Sequence, residues 1–554
     1  MLRQRSKGTR WTIATAAVVG AALVVAACGG GKSSGGGSDS GGGGSTGKPV
    51  AGGDLVYGLE AENSGGWCLP EGQLAISGIQ VARAVYDTLT APNADDEYVP
   101  YLAESVTPDA GYSNWTIKLR PNIKFSDGSA LTATVVKNNL DAYRGKYPTR
   151  KPLLFIFVLQ NIKDITVTDD LTLNVSTTTP WPSFPAFLHS SGRLGIMGQA
   201  QLDDPTTCDR NLIGTGPFKL KEWKPDDHLT VTKNANYWRK DKDGNQLPYL
   251  DSITFKPYGD AQARLNALQS GELTAAHYSG AEQIDALRSA KESGSLQEME
   301  SEKFTELSYG LLNASKPPFN NKNARLALAY GLDRKTFNKA LNLDILTNAS
   351  GPFAPGEIGY VKDAGFPSYD LDKCKEYAAK YQAETGGALE FSIISTPDPG
   401  VVKSVQYLQA EAEKCGAKVT LDTRDQAALI TTALGGNFQV ISWRNHPGGD
   451  PDLQYVWWKG GAPTNFGRFN DPKIDSLLDL GRITPDRTKR EQIYGDINKQ
   501  FSAEVWNLWL QWSLWTIGSQ NGVNGILGPD MPDGSGPFPG LATGHPVEGI
   551  WIQK

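Results

Sequence analysis

Residues 389–421 narrow the possible folds more than any other stretch. An apolar run at 389–395 is followed by a helical pattern at 401–414 and a second apolar run at 417–421. Val401, Val405, Leu408 and Ala412 recur at spacings of four, three and four, which puts them on one helix face, as packing on a sheet requires. Strand, helix and strand in succession predict a parallel, right-handed βαβ unit and hence an α/β chain. At 554 residues the chain exceeds one compact core, so two or three domains are expected.

A second patterned stretch spans residues 97–140. A polar turn at 108–113 leads into an alternating strand in which Trp115, Ile117 and Leu119 share one face and Thr116, Lys118 and Arg120 the other. Pro121 and Asn122 are expected to turn a hairpin whose return carries Ile123 and Phe125, and Asp127-Gly128 to break it. Thr132 or Thr134 would then cap a helix with Val135, Val136, Leu140 and Tyr143 toward the core. None of this is catalytic chemistry. The 54 basic and 60 acidic residues nearly balance without a long basic run, which argues against a general nucleic-acid binder. The 14 tryptophans and 20 tyrosines can line a ligand cleft as well as a core.

At the N-terminus Arg3, Arg5, Lys7 and Arg10 precede an uncharged run at 11–27 and then Cys28. The run is slightly short for a membrane span and ends in small residues, so residues 1–27 read as an export signal. Val25-Ala26-Ala27-Cys28 resembles a bacterial lipobox, which implies cleavage before Cys28 and a diacylglycerol on its sulfur. Two or three acyl chains would hold the protein at a bilayer surface. Residues 29–48 are almost wholly Gly, Ser and polar, so 28–50 form a lipidated cysteine and flexible tether. The letters of a phosphate loop occur at 42–48, but Pro49 replaces the required Ser or Thr and no strand precedes.

Export leaves four cysteines in an oxidising compartment. Cys374 and Cys415 lie on helical patterns flanking one predicted strand and are the first expected disulfide, with Cys68 and Cys208 as the remainder. The alternative, a metal site, lacks close C-x-x-C spacing, and His189, His228, His277, His446 and His545 are scattered singly. No metal or cofactor is expected.

Pro100, Leu102, Ala103, Ser105, Trp115, Ile117, Leu119, Arg120, Ile123, Phe125, Asp127, Gly128, Leu131, Thr132, Ala133 and Val136 together resemble the signature of the extracellular family 5 solute-binding proteins of ABC importers. Similar likenesses follow at Gly214-Thr215-Gly216-Pro217-Phe218, at Asn234 with Tyr237-Trp238, at 247–251, and on a helix expected at 324–339 with Arg325, Ala329, Asp333 and Arg334. The last two are expected to be structural ion-pair partners. The resemblance implies an α/β, two-lobed, periplasmic-binding-protein-like fold of type II, cluster C, with an inserted third subdomain and two interlobe crossover strands. Lobe I would comprise 51–95, 212–308 and 510–554, the inserted subdomain 96–211, and lobe II 309–509. The crossovers are expected at 307–313 and 506–515.

The same resemblance lines the ligand cleft with the loop after a first strand at 54–60 and the segment before a helix at 79–89, here Trp67 and Ser77-Gly78. Trp67 equally fits a core or cysteine-packing role. An apolar strand at 438–443 exits into a Gly/Pro-rich loop at 444–452, the position where open α/β domains bind ligands. Trp443, Asn445, His446, Asp450 and Tyr455 complete the expected substrate-binding set. In peptide-binding members an aspartate shortly before the D-P step pairs with the peptide's α-ammonium. Here those positions are Asn445, His446 and Pro447, and Asp450 fits the D-P step itself.

The function so implied is a membrane-anchored, extracytoplasmic receptor, acting as a monomer, that captures a small solute, a short peptide first, and delivers it to ABC permease subunits by hinge closure. An oligosaccharide or other non-peptide solute is the alternative. An exported lipoprotein hydrolase would need a G-x-S-x-G elbow between a strand and a helix or an H-E-x-x-H motif; H-E-x-x-H is absent, and the letters G-x-S-x-G occur only within the Gly/Ser tether, at 31–35 and 43–47, where no strand-to-helix elbow is expected. A protein-binding receptor is the remaining reading.

Overall fold

The computed structural model describes residues 47–553 apart from Ser64, Gln73, Phe304 and 446–448. The export signal, Cys28, most of the tether and His446 lie outside the described residues.

Two large sheets organise the fold. The first has seven strands in the order Gln297–Ser301, Trp515–Ser519, Ala275–Tyr278, Asp54–Leu59, Ser252–Pro257, His228–Lys233 and Phe218–Lys224. The second has six: Thr347–Asn348, Asn507–Trp512, Leu307–Leu312, Val440–Asn445, Glu390–Ser395 and Lys418–Thr423. The expected βαβ unit is present, with Glu390–Ser395 and Lys418–Thr423 parallel and the helix Pro399–Lys414 between them. Asp398 caps that helix by accepting from Val401 N, Pro399 opens it, and Val405, Leu408 and Ala412 are buried on its inner face.

A four-stranded sheet carries the stretch around residue 115. Trp115, Ile117 and Leu119 are buried on one face of Asn114–Leu119, while Thr116 and Lys118 are exposed. The hairpin, however, lies before this strand and not after it. Asn114–Leu119 pairs with Ala103–Pro108 on one side and Thr172–Thr177 on the other, so both edges are taken and no edge remains for Ile123 and Phe125. These two side chains are buried without joining a strand, and the turn keeps only a bridge between Lys124 and Ala130. Thr132 caps the following helix Ala133–Tyr143, its side chain accepting from Val135 N.

Two further expectations are corrected. The helix expected at 324–339 is two helices, Lys322–Gly331 and Arg334–Asn342. Asp333 caps the second by accepting from Thr336 N, whereas Arg334 donates to the Ala349 carbonyl and lies 4.7 Å over the Phe366 ring, so the two are not an ion pair. Asp333 prefers the cap because it satisfies an otherwise orphaned backbone N–H. The helix expected at 79–89 runs Ile76–Val85, which draws Ser77 and Gly78 into its first turn.

Cys374 is bonded to Cys415 and Cys68 to Cys208. Gly331 packs against the first of these, where a Cβ would lie 2.6 and 2.8 Å from the two sulfurs.

The chain leaves the first large sheet after Ser301 and enters the second at Leu307, and it returns at Ser513 and Leu514. These connectors are tied to each other: Ser513 N donates to the Glu306 carbonyl at 2.8 Å, and the Thr305 hydroxyl donates to the Ser513 carbonyl. Each large sheet has its own apolar core. Leu453 and Val456, which follow the strand Val440–Asn445 of the second sheet, are exceptions that pack into the core of the first.

Candidate functional site

The strand Val440–Asn445 reaches the boundary between the lobes, and its alternation decides what each side chain meets. Asn445 stands opposite Leu307 and Trp443 opposite Tyr309, so these four share one face; Arg444, opposite Ser308, points to the other. On the first face Leu307, Tyr309, Pro352, Asn445, Gln454, Trp458 and Trp509 line a small cavity. Asn445 Nδ2 donates to Gln454 Oε1 at 2.9 Å. The indole N–H of Trp509 is buried without a hydrogen-bond partner, a donor whose desolvation an incoming acceptor would offset. This mixture of aromatic walls and a few polar groups is what small-solute sites present.

The other expected residues have different surroundings. Trp443 packs edge-on to Phe466 at 5.5 Å. Asp450 makes a two-pronged ion pair with Arg490, at 2.5 and 2.9 Å, and caps the turn Pro451–Gln454. Tyr455 lies 3.5 Å from the Arg482 guanidinium and donates to Asp479 at 2.8 Å. Trp67 is buried beside Cys68 and meets Trp223 edge-on at 6.0 Å. The Ser77 hydroxyl accepts from Ala61 N at 3.2 Å and so braces the loop after the first strand. Gly78 packs on Leu74, where a Cβ would approach to 3.0 Å. Of the expected set that is described, Asn445 alone lines the cavity.

Two interlobe seams flank the strand exit. In the turn Pro451–Gln454 after the strand, Asp452 is fully buried: Oδ2 accepts from Trp181 Nε1 at 2.9 Å and Ser183 Oγ at 2.6 Å, and Oδ1 from Arg482 Nε at 3.0 Å. On the other side Arg444 reaches Glu60 at 3.4 Å and Glu306 at 3.3 Å. Glu60 is held by its own backbone, whose N–H donates to His277 Nε2 at 2.9 Å. Burial, and then the nearby Arg264, push the His277 pKa well below its usual value, so the ring stays neutral and able to accept. Sequence reading missed Asp452. Its only advance signals were the pair of aspartates around Pro451 and the Trp181-Pro182-Ser183 step, which nothing local connects.

Among the described residues no group of three or more His, Cys, Asp or Glu could hold a metal ion, and no helix is long and apolar enough to cross a membrane.

The sequence model of the bacterial extracellular solute-binding proteins, family 5 (middle), matches residues 97–466. The chain belongs to this family. It is similar to the glutathione-binding protein GsiB of Pectobacterium atrosepticum, at 27% identity over 439 residues that cover 77% of this chain and 82% of that one. GsiB of Salmonella typhimurium is 29% identical over 438 residues, with the same shares covered. Among solved structures, the binding protein AgaA of A. tumefaciens R10 in complex with agropinic acid matches with a TM-score of 0.79 and 26% identity over 91% of this chain and 99% of that one. The oligopeptide-binding protein AppA of Bacillus subtilis, in complex with a nonapeptide, matches with a TM-score of 0.78 and 20% identity over 92% and 100%. The fold is thus the two-lobed α/β fold of periplasmic binding proteins. A family 5 chain is the extracytoplasmic solute-binding component of an ABC importer and not an enzyme.

Proposed function

We propose that this protein is a lipid-anchored receptor that captures a short peptide or a glutathione-like solute between its lobes and hands it to the transmembrane subunits of an ABC permease. The observation that carries the reading is the small polar-and-aromatic cavity at the exit of Val440–Asn445. The paired connectors at 302–306 and at Ser513 and Leu514 are suited to act as the hinge. A ligand that touches both lobes favours closure by its differential affinity for the closed form, and that difference is what a permease reads. An extended peptide would add main-chain hydrogen bonds beside the strand exit. In this reading the strands Leu307–Leu312 and Asn507–Trp512 fall in lobe II, so lobe I comprises 51–95, 212–306 and 513–554, the inserted subdomain 96–211 and lobe II 307–512, and a monomer tethered through Cys28 suffices.

The lack of a carboxylate at residues 445–447 favours one second reading, an acidic non-peptide solute of the kind bound by AgaA. Calorimetry of the purified protein against glutathione, di- to pentapeptides and agropinic acid tests both. One-to-one binding of glutathione or a peptide supports the first and a preference for agropinic acid the second, while turnover of a bound compound would overturn either. Labelling with radioactive fatty acid, lost in Cys28→Ala, tests the anchor.

A further inference from the structure

The side chains that cross from one apolar core into the other gather at a single place. Leu453 and Val456 of lobe II are buried in the core that the first large sheet shares with the four-stranded sheet. In return Leu154 of the inserted subdomain packs on the core of the second sheet, and Trp457 touches both. Among the described residues no other side chain makes such a crossing.

The same place holds the buried Asp452. Its carboxylate belongs to lobe II and takes the indole N–H of Trp181 and the hydroxyl of Ser183 from the inserted subdomain. Arg482, its partner within lobe II, lies 5.5 and 5.7 Å from the Trp181 and Phe187 rings. Both rings are fully buried. Parting this seam would expose Leu453, Val456, Trp181 and Phe187 to water and strip Asp452 of two donors, so apolar burial and hydrogen bonding both oppose it.

The contacts on the Arg444 side are of another kind. Arg444, itself half-exposed, meets Glu60 and Glu306 at 3.4 and 3.3 Å. Farther out Lys403, in the first turn of the helix Pro399–Lys414, reaches Glu282 of lobe I at 3.9 Å, with the two side chains 60% and 67% exposed. Water replaces such partners at little cost. A domain motion breaks the contacts that cost least and keeps the others as its pivot.

We infer that the Asp452 seam stays shut in the open and closed forms alike and is, together with the two connectors, the pivot of closure, so that the cleft opens on the Arg444 side. This rests on the solute-binding reading above and says where its hinge lies. Because lobe I and the inserted subdomain share one core, they move as one body against lobe II, and a solute enters past Arg444 and Lys403.

The test is double electron–electron resonance on the purified protein, with spin labels carried on a genetically encoded ketone amino acid so that both disulfides stay intact. One pair, at Lys163 and Leu480, spans the Asp452 seam, and the other, at Asp285 and Gln406, spans the Arg444 side; all four side chains are exposed. In the ligand-free protein the seam pair should give one narrow distance. The second pair should give a broad distribution extending more than about 2 Å beyond its closed value, the scale on which domain closure exceeds local adjustment. Saturating glutathione should draw the second distance in and leave the first within about 1 Å. A seam distance as broad as the other, or one that shifts with glutathione, overturns the pivot, and so does a ligand-free protein whose second pair is already narrow and short. Ligand-free distances as expected, with neither pair moved by glutathione, support the pivot and count against glutathione as the solute.

Discussion

The two seams beside the strand Val440–Asn445 join the same lobes by opposite means. At one, Asp452 is fully buried, receives an indole N–H, a hydroxyl and a guanidinium, and lies where Arg482 is also stacked on Tyr455 and approaches Trp181 and Phe187 at 5.5 and 5.7 Å. At the other, Arg444 meets Glu60 and Glu306 at longer range with nearly half its surface in solvent. A charge removed from water is retained only with full partners, so the first seam is intolerant of change. An exposed charge is stabilised by water whatever its partners, so the second is free to exchange them. The intolerant seam thus lies in the turn that follows the strand, and the exchangeable one on the strand itself.

The harshest way to break that contrast is Asp452→Ala. It strands the buried Arg482 charge and the donors of Trp181 and Ser183, and should cost about 3–5 kcal/mol of unfolding free energy, measured by denaturant titration. A loss below about 1 kcal/mol would place Asp452 with the exposed pairs.

A titration of the buried side should follow in size. Burial raises the Glu357 pKa to about 8, helped by Asp96 and opposed by Lys303; Tyr98 and Asp450 share this surrounding. The native state then holds a proton that the unfolded chain releases near the ordinary carboxylate pKa of about 4.3. Stability from this group is complete below that value and is lost as pH rises through about 8. Melting temperature should therefore fall between about pH 4.3 and 8, and Glu357→Gln should flatten that slope. A wild-type slope matched by the variant would remove Glu357 from the account.

The same contrast marks what could be read from sequence. The βαβ unit at 389–421 and the inward face of Asn114–Leu119 were legible because period and burial are local properties. The neighbour of a strand is not: alternation tells which face is buried but not which edge is taken, so the hairpin was drawn on the wrong side. The break at Leu332 was missed although Asp333 is a good cap, because an apolar stripe continued across it. At the candidate site, the Gly/Pro-rich exit located Asn445. Asp452 was invisible because Trp181 lies 271 residues away, and no spacing rule spans that distance. Arg444 was passed over because its partners Glu60 and Glu306 come from the loop after the first strand and from a connector.

On the cavity face, Trp509→Phe keeps an aromatic ring and removes the unpartnered N–H. If a solute accepts from that donor, affinity for the best ligand found by calorimetry should drop about 5- to 10-fold, the worth of one hydrogen bond, while stability is unchanged or slightly improved. Unaltered binding would confine Trp509 to the wall of the cavity.

The smallest effect should be on stability at the open seam. Glu60→Gln removes a carboxylate that is 18% exposed from a guanidinium that is 43% exposed, and solvent screens what remains. Unfolding free energy should change by less than about 1 kcal/mol, with little dependence on added salt because Glu306 still faces Arg444. The substitution leaves in place the backbone N–H at position 60 that donates to His277, so the first strand keeps its end. A destabilisation comparable to that of Asp452→Ala would mean that the exposed pair also holds the lobes together, and the division of labour between the two seams would have to be abandoned.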